Sequence, residues 1–332
     1  MATNIIEDVP HLVKLLISIV NGFHIPSSKM LGRPYIYSDK TVTKAFIVMV
    51  YFRLTSIRSL ARFLKDHQDI AKACGLKVMS PTYRTLSRRL KTLNDLLLSF
   101  ACQIVSVLVK YNLVSLKIVS TDSSLCQAAG RASQKKALHI VATDKDASWG
   151  FSESRGFVFG YKLHLTSTVL IKGKTIVPLS WEVTPANRHD SKLLISLMEK
   201  VNTLSTSLRR RVSYSLGDKG YDQNVNYEWC RDHSLRFITP VRRFKKQAIS
   251  KIKLWARRFI DTVGGKELYK RRADNERLFA QFKDIFLIDP LPVRGIKAVS
   301  SYLSVMCVSY LLGVLYNHLN GRSLRAIKSL VA

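Results

Sequence analysis

The order of β-type and helical runs after residue 113 constrains the fold of this chain most. Apolar or alternating runs predict five strands, near 114–119, 159–169, 175–183, 211–216 and 235–240. Helices are expected between the third and fourth strands, between the fourth and fifth, and after the fifth. The order β-β-β-α-β-α-β-α is typical of one mixed α/β sheet flanked by helices, which we place at residues 113–320. Residues 321–332 are expected to form a C-terminal tail.

Residues 1–112 have a different pattern, which predicts an all-helical N-terminal domain. Within it, a helix, a turn containing glycine and an arginine-rich helix follow one another, an order that resembles a helix-turn-helix DNA reader. Arg84, Arg88 and Arg89 are predicted to be exposed on the last of these helices and to contact DNA. Any small helical bundle with a basic face would give the same pattern.

The charge of the chain is one-sided, with 53 Lys and Arg against 23 Asp and Glu and a net charge of +30. The excess is spread along the sequence, which favours contact between several surfaces and a polyanion such as DNA. A basic connector from residue 241 to about Glu267 adds Arg257 and Arg258 as candidate DNA contacts. An apolar segment at 298–316 carries four serines, and we interpret it as a buried helix and not as a membrane span.

Five cysteines occur without a CxxC pair, which predicts reduced thiols and makes a zinc site improbable. The first residues lack the basic region of a secretory signal. Together these features predict a cytoplasmic location.

Three acids stand where a sheet domain exposes polar groups. Asp122 follows the first predicted strand, Asp218 follows the fourth, and Glu276 lies on a predicted helix over 269–283. Neighbouring carboxylates raise each other's pKa, and a divalent cation removes the repulsion between them. Oxygen-only ligands select Mg²⁺ or Mn²⁺, and two such ions suit phosphoryl transfer. Each acid alone could equally be a turn or surface residue.

Helical spacing would place four unlike polar side chains on one arc of about 60°. They are Tyr269, Arg272, Glu276 and Lys283. A carboxylate among phosphate-binding groups would suit a nuclease-like cleft, whereas a salt-bridged, solvated helix face would show the same spacing. The dipeptide His189-Asp190 is interpreted as a helix start and His164 as an ordinary strand residue, although a metal-binding histidine pair is conceivable.

Several short stretches occur together in an order that resembles the DDE transposases of insertion sequences. They are Gly32-Arg33-Pro34, Ser120-Thr121-Asp122-Ser123, Phe159–Leu165, Thr184–Ser191, Gly217–Asp222 and the Y-x2-R-x3-E-x6-K pattern at Tyr269, Arg272, Glu276 and Lys283. The resemblance covers about residues 30–320 and implies an RNase H-like fold for the predicted five-stranded sheet.

By this resemblance, Asp122, Asp218 and Glu276 would be the catalytic residues and would bind Mg²⁺ or Mn²⁺. Tyr269, Arg272 and Lys283 would hold DNA phosphates near the cleavage point. The expected activity is cleavage of double-stranded DNA at terminal inverted repeats and transfer of the 3′-hydroxyl ends to target DNA.

A homodimer would form the synaptic complex. The protein would be cytoplasmic and associated with the nucleoid, with no membrane partner. Two alternatives stay open. One is a DNA-binding protein derived from such an enzyme that has lost catalysis. The other is a structure-specific nuclease on the same fold.

Overall fold

A computed structural model describes residues 9–25, 35–76, 79–130, 142–153, 155–242, 250–286 and 288–331. Its contacts divide the chain into two compact units. Unit 1 combines Met1–Ile104, Ala128–Asp146 and Phe282–Ala332, and unit 2 combines Val105–Gln127 and Ala147–Gln281. Because the last 51 residues group with the N-terminal helices, these units differ from the ranges 1–112, 113–320 and 321–332. Those ranges stay a prediction for the functional domains.

Within the described residues, the helices are α1 (Val9–Asn21), α2 (Asp39–Tyr51), α3 (Ile57–Asp66), α4 (Gln68–Cys74), α5 (Tyr83–Leu90), α6 (Asn94–Lys110), α7 (Leu194–Ser207), α8 (Asn224–Asp232), α9 (Lys251–Asp261), α10 (Val263–Lys270), α11 (Ala273–Phe286) and α12 (Ile296–Leu319). The strands are β1 (Ile118–Gln127), β2 (Ser148–Ser152), β3 (Gly156–Thr168), β4 (Pro178–Pro185), β5 (Tyr214–Gly217) and β6 (Arg236–Ile238). Short 3₁₀ turns lie at Asp190–Lys192, Lys219–Tyr221 and Lys328–Leu330.

Unit 2 is built on a sheet whose main path runs β2-β3-β1-β5-β6, with β4 paired to β3. β1 is antiparallel to β3 and parallel to β5, and β5 is parallel to β6. Helix α7 packs on β4 and β3, and α8 and α9 pack on β6. The prediction of a mixed α/β sheet with helices against it is confirmed.

The predicted number of five strands is wrong for the described sheet, which has six. The additional strand, β2, is only five residues long and contains Gly150 at its centre. A side chain at Gly150 would place its Cβ 2.8 Å from the carbonyl oxygen of Ala186. This position needs glycine for a close approach, and glycine weakens the sequence pattern of a strand.

The first strand extends further than its apolar run. It was predicted to end before Asp122, but β1 continues to Gln127 because residues 119–127 pair with β3. Asp122 therefore lies within the strand, opposite Leu165. Long-range pairing with β3 overrides the low strand propensity of the polar run.

The predicted helix over 269–283 is broken in the structure. Helix α10 ends at Lys270 and α11 begins at Ala273, so Arg272 lies in the turn between them. The sequence shows no glycine or proline at this point. A buried contact marks the break: the Asp274 carboxylate accepts a hydrogen bond from the backbone N–H of Leu170, just beyond β3, at 2.7 Å. The predicted arc on a single helix is therefore incorrect.

Unit 1 contains α1 to α5, most of α6 and the buried helix α12. By length and composition α12 could also span a bilayer, but almost its whole length is buried within the unit, as predicted. The hydroxyl of Tyr51 on α2 donates to the carbonyl of Ser309 on α12 at 2.6 Å. The side chains of Asp144 and Asp146 accept hydrogen bonds from the N–H groups of Gly295 and Ile296 at the start of α12.

The arginine-rich helix is α5, and an additional helix, α4, separates it from α3. α4 ends at Gly75, whose positive φ of 92° is a left-handed conformation that glycine adopts without strain. Arg84 and Arg88 are exposed on α5, as predicted. Gly32-Arg33-Pro34, which contributed to the family resemblance, lies outside the described residues.

The predicted exposure of Arg89 is wrong. Its side chain is 1% exposed and donates to the Asp39 carboxylate at 2.6 Å and to the carbonyl of Tyr37 at 2.6 Å. Its guanidinium also lies 3.8 Å from the ring centre of Tyr35. A buried, paired guanidinium is not available to DNA, so Arg89 holds α5 against the start of α2.

Candidate active site

Two of the three predicted acids lie on neighbouring parallel strands. The last paired residues of β1 and β5 are Thr121 and Gly217, and the residue that follows each of them in the chain is an aspartate. Asp122 and Asp218 therefore stand side by side at the same end of this pair of strands. The first and fourth predicted strands are therefore neighbours in the sheet, and Asp122 lies inside its strand.

Asp122 is largely buried and carries several contacts. One carboxylate oxygen accepts from the N–H of Ser123 at 2.8 Å, and the other from Arg272 Nη1 at 3.2 Å. The pKa of Asp122 is raised to about 6, mainly by burial and in addition by the negative charges of Asp218 and Glu276. The Ser123 hydrogen bond and the Arg272 charge act in the opposite direction. The three carboxylates thus share one electrostatic environment.

Glu276 lies in the first turn of α11 and is more than half exposed. Arg272 Nη2 donates to its Oε1 at 2.6 Å, while Nη1 of the same guanidinium reaches Asp122. The guanidinium therefore bridges two of the predicted catalytic acids. Lys283 lies on the same helix, seven residues after Glu276, and is half-buried.

Asp218 is exposed and caps the 3₁₀ turn that follows β5, accepting from the N–H of Lys219. Its own carbonyl accepts from the hydroxyl of Thr239 at 2.7 Å, which ties the turn to the end of β6. The hydroxyl of Tyr269 donates to the carbonyl of Gly217 at 3.4 Å, and burial raises its pKa to about 12. Tyr269 is thus held against the main chain immediately before Asp218.

A group of polar side chains beside Asp122 was not assigned a joint role from the sequence. Asp190 Oδ1 accepts from Ser123 Oγ at 2.9 Å and from Lys162 Nζ at 3.0 Å. The buried His164 is paired with Ser123 on the neighbouring strand β3. Its Nδ1 lies 3.5 Å from Asp190 Oδ1, and its Nε2 lies 2.9 Å from Thr184 Oγ1. Burial lowers the pKa of His164 to about 4.

The sequence contained one signal for this group, because Asp190 was expected to begin a helical segment. It does begin a 3₁₀ turn, and His189 caps it through Nδ1, which accepts from the N–H of Ser191. What the sequence could not show is that this turn meets Ser123. That contact depends on the register of β1 against β3.

Among the remaining predicted DNA contacts, Arg257 is partly exposed and Arg258 is exposed on α9. Trp255 on the same helix is 41% exposed. Its ring stacks on Phe259 at 5.1 Å, and the Arg236 guanidinium lies 5.6 Å from its centre. This part of unit 2 presents a basic and aromatic surface.

The acids fit a hard divalent cation by their chemistry, because all three offer carboxylate oxygens. As the described side chains are arranged, no three of the His, Cys, Asp and Glu residues converge closely enough to hold a metal ion. The Arg272 guanidinium takes the place of a cation between Asp122 and Glu276. Binding a metal ion at these acids would therefore require Glu276 and Arg272 to move apart.

A comparison with protein families finds that the profile of the transposase DDE domain matches residues 116–312, more than half of the chain. The chain belongs to this transposase family. Membership places the chain in DNA transposition, a form of DNA recombination that requires binding to DNA. The matched range contains Asp122, Asp218 and Glu276. A comparison with curated proteins finds no match.

Solved structures with detectable similarity to this transposase include other transposases in complexes. A piggyBac transposase synaptic complex with hairpin DNA aligns over 98% of this chain and 76% of its own, at 8% identity and a TM-score of 0.43. The Mos1 mariner paired-end complex with Mn aligns over 89% and 82%, at 13% identity and a TM-score of 0.23.

Proposed function

We propose that this transposase is a metal-dependent enzyme of the insertion-sequence branch with the Y-x2-R-x3-E-x6-K pattern. It would cleave double-stranded DNA at the ends of its element and transfer the 3′-hydroxyl ends to target DNA. The observation that carries the proposal is the adjacency of Asp122 and Asp218, together with the Arg272 bridge from Asp122 to Glu276. Carboxylates that face phosphate do not strengthen DNA binding. Their presence therefore disfavours a function limited to binding DNA.

Asp122, Asp218 and Glu276 would hold Mg²⁺ or Mn²⁺, which would neutralise charge on the phosphoryl group under attack. When the acids bind metal, the Arg272 guanidinium would leave them. It would then be free to bind a DNA phosphate in a bidentate manner. Lys283 would add a point charge for the same backbone. Tyr269 was predicted to hold phosphate, but its hydroxyl donates to the Gly217 carbonyl, so we propose that it acts by fixing the turn that carries Asp218.

The helical residues of 1–112 would bind the terminal repeats as a functional domain. Arg84 and Arg88 are exposed on α5, and Tyr83 lies between the Arg84 and Arg58 guanidinium groups, which are 5.9 and 5.0 Å from its ring centre. Such a basic and aromatic face suits phosphate and sugar contacts. Arg257 and Arg258 on α9 would contribute further phosphate contacts. A homodimer would bring the two ends together in the cytoplasm.

The test is strand cleavage by Asp122→Asn on duplex DNA taken from the sequences that flank the reading frame. Loss of nicking with retained DNA affinity is expected, since the amide keeps the shape but not the charge. Asp232→Asn, at an exposed aspartate on α8, is the matched control. Wild-type nicking rates in Asp122→Asn would refute the assignment. Cleavage of branched DNA without joining of ends would instead indicate a structure-specific nuclease.

A further inference from the structure

A cationic hollow of about 250 Å³ lies in unit 2, away from the carboxylates. Its basic lining consists of Lys117, Lys174, Arg210 and Arg211. Lys117 immediately precedes β1, and Arg210 and Arg211 precede β5. We call it the strand-start hollow, because β1 and β5 are parallel and both begin beside it.

Main-chain hydrogen bonds build this hollow from three segments that are distant in sequence. The carbonyl of Lys117 accepts from the N–H groups of Ser213 at 2.8 Å and Tyr214 at 3.1 Å. The N–H of Thr175 donates to the carbonyl of Leu113 at 2.9 Å, which brings Lys174 to the same place. The four cations are therefore gathered by the sheet itself, and not by chance orientation of long side chains.

The positive charge of the hollow is not compensated by its own segments. No aspartate or glutamate occurs in residues 96–121, 154–181 or 200–217. Lys174 Nζ donates to the main-chain carbonyl of Asn112 at 2.9 Å and to the amide oxygen of its side chain, and Arg211 Nη2 donates to the carbonyl of Ser234 at 3.3 Å. These acceptors are neutral. Converging cations without a carboxylate attract anions and favour a bound one.

The strand-start hollow is separated from the acids by the length of the paired strands. Lys117 precedes Asp122 by five residues of nearly extended chain, a distance of about 16 Å. A duplex rises about 34 Å in one turn, so the hollow is about half a turn of DNA from the carboxylates. Phosphates bound there would belong to DNA other than the step being cut.

We infer that the strand-start hollow binds backbone phosphates of a DNA duplex at about 16 Å from the cleavage point. The inference rests on the proposed function for its choice of DNA as the anion. Arg and Lys suit this ligand without selecting a base sequence, since phosphate contacts position the duplex. The site would hold either the continuation of the cut duplex or a second duplex.

The test compares Lys117→Gln/Arg210→Gln with Lys200→Gln/Arg231→Gln. Both double variants remove two exposed charges, but Lys200 and Arg231 already pair with Glu182 and Asp232. Binding of a mixed-sequence duplex of about 40 base pairs is measured between about 50 and 200 mM salt. The hollow variant should reduce the slope of log K against log salt by about 1.8 and weaken binding roughly ten- to hundredfold at about 100 mM salt.

The control variant should show little change in slope. Equal slopes for the two double variants would overturn the inference. Lys117→Arg/Arg210→Lys retains both charges and should restore binding; if it binds as weakly as the glutamine variant, charge is not the cause and the inference also fails.

Pre-binding a trimmed duplex at the cleavage site distinguishes the two sources of phosphate. If the glutamine variant binds weakly only to one long duplex, the hollow holds the continuation of the cut duplex. If it fails to capture a labelled second duplex, the hollow holds a second DNA. Both results support the hollow. If the wild-type chain does not nick DNA but the slope difference persists, the proposed chemistry fails while the DNA site stands.

Discussion

Arg272 Nη1 lies 3.2 Å from Asp122 Oδ2, and this contact joins the turn before α11 to the middle of β1. The same guanidinium holds Glu276. Its positive charge opposes the effect of burial on the pKa of Asp122. The charge state of the candidate catalytic acid thus depends on a residue about 150 positions away in sequence.

Arg272→Gln should lower the nicking rate and move its pH dependence. In the metal-free protein the guanidinium lowers the pKa of Asp122, so its loss should raise that pKa and shift upward the pH at which the acids take up Mg²⁺ and nicking begins. The measurement is single-turnover nicking across neutral pH. Lys270→Gln, an exposed cation paired with Glu267, is the control. An unmoved pH profile would show that Arg272 does not tune Asp122.

Asp190→Ala should impair cleavage because it disturbs the position of Asp122, and not because it removes a charge at the cleavage point. The substitution removes the acceptor of Ser123 Oγ and Lys162 Nζ, and Ser123 is the neighbour of Asp122. Partners of this kind typically change metal affinity by about 10–100-fold, so the Mg²⁺ concentration for half-maximal nicking should rise. Asp190→Asn keeps an acceptor and should recover part of the loss.

Ser123→Ala should be nearly silent in the Asp190→Ala background, because the two residues act through one hydrogen bond. Additive effects on the Mg²⁺ requirement would argue against a shared role. Asp232→Ala serves as the exposed control.

His164 should make unfolding depend on pH in acid. Burial lowers its pKa to about 4, whereas an unfolded histidine titrates near 6.5. The native state therefore binds fewer protons between these values, and its stability is full above about pH 6.5 and falls as pH decreases toward 4. Asp190, Lys162 and Glu182 are the charged groups that influence it.

His164→Gln should remove a large part of this acid loss. Each pKa unit corresponds to about 1.4 kcal/mol. The difference in the free energy of unfolding between the variant and the wild type should therefore change by a few kcal/mol between about pH 6.5 and pH 4. Urea unfolding at several pH values measures it, with the exposed His11→Gln as control. A difference that is constant with pH would contradict the assignment.

Arg89→Met should destabilise unit 1 by about 3–5 kcal/mol, because it leaves the buried Asp39 carboxylate without its cation. Arg89→Met/Asp39→Leu should recover most of the loss, since the unpaired charge is gone. Denaturant unfolding gives both values, and the exposed Arg88→Ala should change stability by less than about 0.5 kcal/mol. A stable Arg89→Met with a reduced salt slope for DNA would restore its predicted DNA contact.

The sequence predicted what local pattern controls. Apolar runs located five of the six strands and the buried helix α12. The errors lie where a distant partner decides. The break before α11 is marked by Asp274 meeting the end of β3, the extension of β1 depends on its register with β3, and the burial of Arg89 depends on Asp39.

The candidate site shows the same division. Its acids could be chosen because carboxylates at strand ends are conspicuous in a basic chain. The Arg272 bridge to Asp122 and the Ser123–Asp190 contact could not be predicted from the sequence, because the residues of these pairs are separated by 150 and 67 positions. The strand-start hollow joins segments that single-sequence patterns treat as unrelated loops.

Burial of α12 within unit 1 has a consequence for protein synthesis. The helices at Val9–Lys110 leave the ribosome first, but their core includes a helix that ends at Leu319. At about 5–20 residues per second, roughly 10–40 s separate the two. During that interval the nascent arginine-bearing helices lack their packing partner, so we expect a ribosome-bound chain to form the exposed arginine face of α5 stably only after α12 has been synthesised.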